Sequence, residues 1–248
     1  MSIDLNADVG EGMDDAALLP YVTSANVACG MHAGDPSVMD GTVSFALSHG
    51  VRVGAHPGYP DREHFGRAPV EISAEAVENL VLYQIAALDG FVRSRGGTLT
   101  HVKPHGALYH TAAVDVWQAT AVVAAIVDYD RSLPLVCLPG SVLASHARDN
   151  GLRVVAEGFA DRAYLPDGRL MPRTDPRAVV SHVDTVAARA VAMVADGYVE
   201  ANDGSRVELS VDTLCVHGDT PGAVEIARKV RAALTDAGIA VQSFVELR

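Results

Sequence analysis

SAEAVENLVLYQIAALDGFVRSRGGTLTHVKPHGALY, residues 73–109, changes its hydrophobic period once, and that change decides the fold class. In its first part Val77, Leu80, Val81, Gln84, Ile85 and Leu88 recur at helical spacing, with Ser73 as N-cap and Gly96 as C-terminal stop. Its second part, LTHVKPH, is a short apolar run that ends in Lys103 and His105. The spacing therefore predicts a helix, then a strand with a chemically active tip.

The same alternation continues in both directions. SIDLNAD, SANVAC, VRVGAH, LPLVCLPG, LRVVAEGFAD and DTLCVHGD read as further strands. DPSVMDGTVSFALSHG, DVWQATAVVAAIVDYD, DPRAVVSHVDTVAARAVAMVADG and TPGAVEIARKVRAALTDAG read as helices between them. Strand–helix alternation of this kind implies an α/β protein with a mainly parallel sheet covered by helices. About seven or eight such steps fit an irregular (β/α) barrel spanning residues 1–248 as one domain. A doubly wound open sheet has the same periodicity. The long irregular stretch is DRAYLPDGRLMPRTDP, 161–176, and VEANDGSRVELSVD reads as a hairpin turning at Asp203-Gly204.

A net charge of −12 argues against nucleic acid or an anionic membrane as the main partner, while leaving room for a small anion held by a local Arg or Lys. Cys29, Cys137 and Cys215 are far apart and odd in number, which reads as reduced thiols. The first residues carry charge at once, without a signal-like apolar core, and no run is long enough to span a bilayer. These features lead us to expect a soluble, cytoplasmic protein. The chain has no GxxxxGK[ST] loop, no GxGxxG after the first strand, and no HExxH, CxxC or GxSxG, so it lacks a recognisable nucleotide site of its own.

Nearly every strand ends in useful polar groups: Asn6, Asp8 and Glu11; Cys29, His32 and Asp35; His56, Tyr59 and Asp61, then Arg67; Lys103, His105 and Tyr109; Glu157, Asp161 and Arg162; His217 and Asp219. In parallel α/β folds these tips converge on one face, where ligands bind. Lys103 and His105 are two apart, so they point the same way, with His101 lower on that face. Only Lys103 and Lys229 are lysines among 19 basic residues, and a lysine facing a barrel interior must be paired or line a polar cavity. A compact point charge with a lowered pKa is one use for it. Asp35 before Pro36 also fits a plain helix cap, and His217 and Asp219 fit a cap on the last helix. Cys29 fits an inert buried thiol better than a nucleophile.

IDLNADVGEG, VTSANVACGMHAGD, GVRVGAHPGYPD, FGR, HVKPHGALY, FADRAYLPDGRL and DTLCVHGDTPGAV together resemble the LamB/YcsF family, from residue 3 to about 238. Relative to that family the segment GEGMDDAALLP is short. The resemblance implies a seven-stranded barrel of the glycoside hydrolase/deacetylase type. It implies ATP-dependent hydrolysis of 5-oxo-L-proline to L-glutamate, with ADP and phosphate as by-products. The chain would be the A component of 5-oxoprolinase, working with B and C components. On this reading Asp8 or His105 is the general base and Lys103 stabilises developing negative charge. Asn6, His32, His56, Arg67, Arg162, His217 and Asp219 line the substrate site, with Arg67 or Arg162 on the substrate carboxylate. ATP is a co-substrate activated by the partners. A fainter similarity, to metal-dependent sugar deacetylases, puts Asp8, His56 and His105 at the positions of a divalent-metal triad. It makes a stand-alone metal-dependent deacetylase or amidohydrolase the rival reading. A non-catalytic binding component is the third.

Overall fold

The computed structural model describes residues 1–220 and 222–245. Each barrel strand is followed by helix, as the period change demands: β1 Ser2–Val9, α1 Asp15–Leu18, β2 Ser24–Ala28, α2 Pro36–Ser48, β3 Arg52–His56, α3 Ala74–Ser94 and β4 Leu99–Val102. Then come α4 Gly106–Ala112, α5 Val116–Asp130, β5 Leu135–Cys137, α6 Val142–Asp149, β6 Val154–Phe159, α7 Val183–Ala195, the hairpin β7 Tyr198–Glu200 and β8 Arg206–Glu208, β9 Thr213–His217, α8 Ala223–Asp236 and β10 Ala240–Val241. Side-chain caps fix the helix starts: Ser73 accepts from Ala76 N, and Asp35 accepts from Ser37 N and Val38 N ahead of Pro36.

Strands β1 to β6 and β9 pair in parallel, and β9 returns to β1, closing a seven-stranded barrel; the open sheet is excluded. β10 adds to β1 at its first residues only, Ser2 opposite Ala240. The β7–β8 hairpin forms around Asp203-Gly204 as expected and lies outside the barrel. Among the described residues no single helix is long and apolar enough to cross a membrane.

The alternation of β1 sorts its side chains. Ile3, Leu5, Ala7 and Val9 join the apolar layer under the helices, while Asp4, Asn6 and Asp8 point into the lumen and bond across it. A (β/α) barrel lumen is usually filled by branched apolar residues. Here it is a buried polar column. At its base, Asp4 accepts from Ser24 Oγ (2.6 Å), Thr23 Oγ1 (2.7 Å) and Thr213 Oγ1. Above it, Asn26 Nδ2 donates to Asn6 Oδ1 and Asp8 Oδ1, both at 2.8 Å, and His101 Nε2 meets Asn26 Oδ1 at 2.8 Å. Gly54 makes this possible, because a Cβ there would lie 2.2 Å from His101 Nε2.

Candidate active site

The column opens at the C-terminal ends of the strands into a cleft of about 1580 Å³. Asp8, His56, Lys103, His105 and His217 line its floor, and Arg67, Arg162 and Arg173 its side. The irregular stretch after β6 supplies one wall, including Leu165, Met171 and Arg173.

Lys103 stands at the centre. Its Nζ lies 2.9 Å from Asp8 Oδ1, 2.8 Å from Glu157 Oε1 and 3.2 Å from Cys215 Sγ, so all three N–H groups have partners. Burial by itself would lower the lysine pKa. The neighbouring Asp8, Cys215 and Glu157 outweigh it and hold the ammonium well above its usual range. This corrects the expectation of a lysine with a lowered pKa. Asp8 is likewise held ionised: burial opposes it, but His56 and Lys103 prevail.

Beside this pair lie three imidazoles and one carboxylate. Glu11, from the short β1–α1 loop, places Oε1 2.9 Å from His32 Nε2 and 3.2 Å from His105 Nδ1. His105 Nδ1 is 3.0 Å from His56 Nε2, which is 3.4 Å from Asp8 Oδ2. His32 stacks flat on His105, centroids 3.7 Å apart. Burial, against the pull of Glu11, lowers His105 and takes His32 to about 4. Burial also opposes charge on His56, but Asp8 lifts its pKa above the usual imidazole value. The expected metal triad is altered by this geometry. One Asp8 oxygen is taken by Lys103 and Asn26, and the group closest to the two facing imidazole nitrogens includes Glu11.

Across the floor, His217 Nδ1 lies 2.8 Å from Asp161 Oδ2, leaving Nε2 for the cleft. Burial disfavours the charge on Asp161, but His217, Arg162 and Arg173 hold its pKa below the ordinary carboxylate value. His217 therefore does not cap α8, whose N-cap is Gly222. Asp219 instead accepts from Arg67 Nη2 at 2.6 Å and Arg173 Nη1 at 3.5 Å.

Two expected substrate groups are placed otherwise. Asn6 lies below the floor, tied to Glu157 and Thr213. Arg162 is buried at the side of the cleft, with Nε on Ala178 O (3.1 Å) and Nη2 on Met171 O (2.7 Å), so part of its fork is held by backbone carbonyls. Cys29 is a buried thiol pushed up to about 12 by desolvation, as an inert cysteine should be.

The LamB/YcsF profile matches residues 3–248. The chain belongs to the LamB/YcsF family. Among its LamB/YcsF relatives, the 5-oxoprolinase A component of Pyrococcus furiosus is 50% identical over 248 residues, 97% of each chain. The protein of that name from Nocardia farcinica is 50% identical over 251 residues, 99% of this chain and 100% of the other. A crystal structure of a lactam utilization protein from Thermus thermophilus superposes with TM-score 0.94 at 48% identity, covering 98% of this chain and all of that one. A T48 deacetylase solved with substrate superposes at TM-score 0.51 and 14% identity, over 97% of this chain and 86% of that one, which shows a shared barrel fold alone.

In this LamB/YcsF barrel, Glu11, Glu157, Asp161 and Arg173 are central groups that the sequence reading noted at strand tips or in the irregular stretch without assigning them to the site. For Glu11 and Asp161 the available signal was their place just after β1 and β6, next to residues already singled out. Arg173 had none, because only the folded course of 161–176 brings it to Asp219.

Proposed function

We propose that this chain is the A component of a cytoplasmic 5-oxoprolinase, opening the lactam ring of 5-oxo-L-proline to L-glutamate after ATP-dependent activation by its B and C partners. The observation that carries the reading is a His217–Asp161 pair aimed into the cleft of a chain half identical, end to end, to proteins of that name. The sequence contains no phosphate loop, which supports assigning ATP to the partners.

A lactam is a resonance-stabilised amide with a poor leaving group. Transfer of a phosphoryl group to its oxygen makes the ring carbon electrophilic. His217 Nε2 takes a proton from water as that water adds to the ring carbon, and Asp161 holds the imidazole in register. The same nitrogen returns the proton to the ring nitrogen as the C–N bond breaks. The product of that step is γ-glutamyl phosphate, which a second water converts to glutamate and phosphate. Arg67 and Arg173, each contributing one N–H to Asp219, offer their remaining N–H groups to substrate carboxylate or phosphate. Lys103 acts through Asp8 and Glu157, since it has no N–H left for an oxyanion.

Glutamate release from 5-oxoproline and ATP tests this, first with the chain alone and then with the B and C partners. Release only from the full mixture is expected. Release by the chain alone with ATP would overturn the division of labour.

A further inference from the structure

The loop between β3 and α3 holds a backbone outlier. Phe65 sits at φ 58°, in the left-handed region, and among the described residues it is the single non-glycine there. A bulky side chain is rarely kept at that angle unless its surroundings over-determine it. Here they do. Gly66 N donates to Asp61 O at 2.6 Å, and the Asp61 carboxylate accepts from His64 N and Ala68 N. Gly66 follows at φ 66° with no room for a Cβ, which would lie 2.7 Å from His32 Cβ and 2.8 Å from His105 Cδ2. The turn offers two consecutive carbonyls to the start of α4: Phe65 O accepts from His105 Nε2 at 2.8 Å, and Gly66 O from Ala107 N at 2.9 Å.

Glycine at position 65 would adopt this backbone freely. The benefit of a strained aromatic must therefore lie in its ring. That ring stands nearly perpendicular to His105, centroids 5.5 Å apart, and to His32 at 5.9 Å. The Arg67 guanidinium lies over it, with Cζ 4.9 Å from the centroid. Arg67 Nη2 then donates to Asp219 at 2.6 Å. The guanidinium is thus gripped at two points, a ring and a carboxylate, although a third of its side chain is exposed. Arginine left loose at such exposure must give up rotamer freedom when it binds an anion; a gripped one has already done so.

We propose that Phe65 is a positioning residue, whose ring holds Arg67 against Asp219 so that the guanidinium meets the anionic group of the substrate already oriented. The inference rests on the lactam reading for the identity of that substrate, but not for the grip itself.

Two measurements test it. The first uses the chain alone. In a nitrogen-15 spectrum of arginine side chains, the Arg67 Nε–H signal is assigned by its loss in Arg67→Met. It should be shifted by the ring in the wild type, and should return to the position of a mobile arginine in Phe65→Leu and in Phe65→Gly, which relieves the strain while removing the ring. The second is glutamate release with the B and C partners in excess. Phe65→Leu should raise KM for the lactam by about 3–30-fold with kcat largely retained, the scale of one cation–π contact. Phe65→Tyr should restore it. Tyr83→Leu, at an exposed aromatic on α3, should leave it unchanged. In an Arg67→Met background, Phe65→Leu should add less than about twofold. An Arg67 signal unmoved in both Phe65→Leu and Phe65→Gly overturns the proposal. So does an unchanged KM, a fall in kcat at constant KM, or an undiminished effect without Arg67. A wild-type complex that releases no glutamate sinks the lactam reading instead, and the spectrum then decides the grip.

Discussion

His217 and Asp161 are 56 residues apart in the chain and 2.8 Å apart at the floor of the cleft, Nδ1 to Oδ2. The carboxylate fixes the ring so that Nε2 is the nitrogen turned to the cleft. His217→Asn should lower kcat of the reconstituted complex by about 10²–10⁴-fold, the range for loss of a general base. Asp161→Asn should lower it in the same direction while the chain stays folded. An unchanged kcat in both would favour the non-catalytic binding role.

Lys103 neutralises two buried carboxylates, so its loss should first be felt as stability. Lys103→Met leaves Asp8 and Glu157 facing each other without a cation, and chemical denaturation should show about 3–5 kcal/mol of destabilisation. Adding Glu157→Gln should recover part of it. Equal stability of the wild type and Lys103→Met would contradict the pairing.

Arg67 and Arg173 meet on one Asp219 oxygen at the side of the cleft. Arg173→Ala should raise KM for the lactam with kcat largely retained, the pattern for lost uniform binding. A fall in kcat at constant KM would move Arg173 from binding to chemistry.

The barrel was legible because period-2 runs and period-3.6 runs alternate without a break, and because polar residues gather at one end of the runs. Asp8, His56, Lys103, His105 and His217 meet because strand tips in a closed parallel sheet have nowhere else to go. The partners were not legible. A strand pattern shows which way Lys103 points but not that Asp8, Glu157 and Cys215 use all its donors, since those come from three other strands. Nor could it separate barrel from open sheet, a choice made by the β1–β9 pairing between residues about 200 positions apart.

Gly54 is a packing requirement of the polar lumen. Gly54→Ala would drive a methyl into His101, whose ring atoms stand 2.2–2.4 Å from the new carbon. His101 is neutral, its pKa taken by burial to about 3, and bonded to Asn26, so it cannot leave without unpairing buried groups. A loss of at least about 1–3 kcal/mol is expected in thermal or chemical unfolding.

Asp4 supplies a pH signature. Desolvation raises its pKa from 3.8 to about 6, despite hydrogen bonds from Ser24, Thr213 and Thr23. The folded state thus favours the protonated form. Its contribution, on the order of 3 kcal/mol, is fully present below about pH 4 and lost as pH rises through about 6. The melting temperature of wild type relative to Asp4→Asn should therefore be most favourable near pH 4 and decline towards pH 7. A pH-independent difference would contradict the raised pKa.

Asp8 and His217 are register partners across the seam where the first barrel strand meets the last. A ribosome emits one of them some two hundred residues before the other. Until that late strand arrives, the growing polypeptide carries carboxylates and a lysine meant for a sealed interior but still wetted by solvent. Biogenesis of the cleft mouth is thus a single terminal event, and a chain stalled short of β9 has no partial version of it to display.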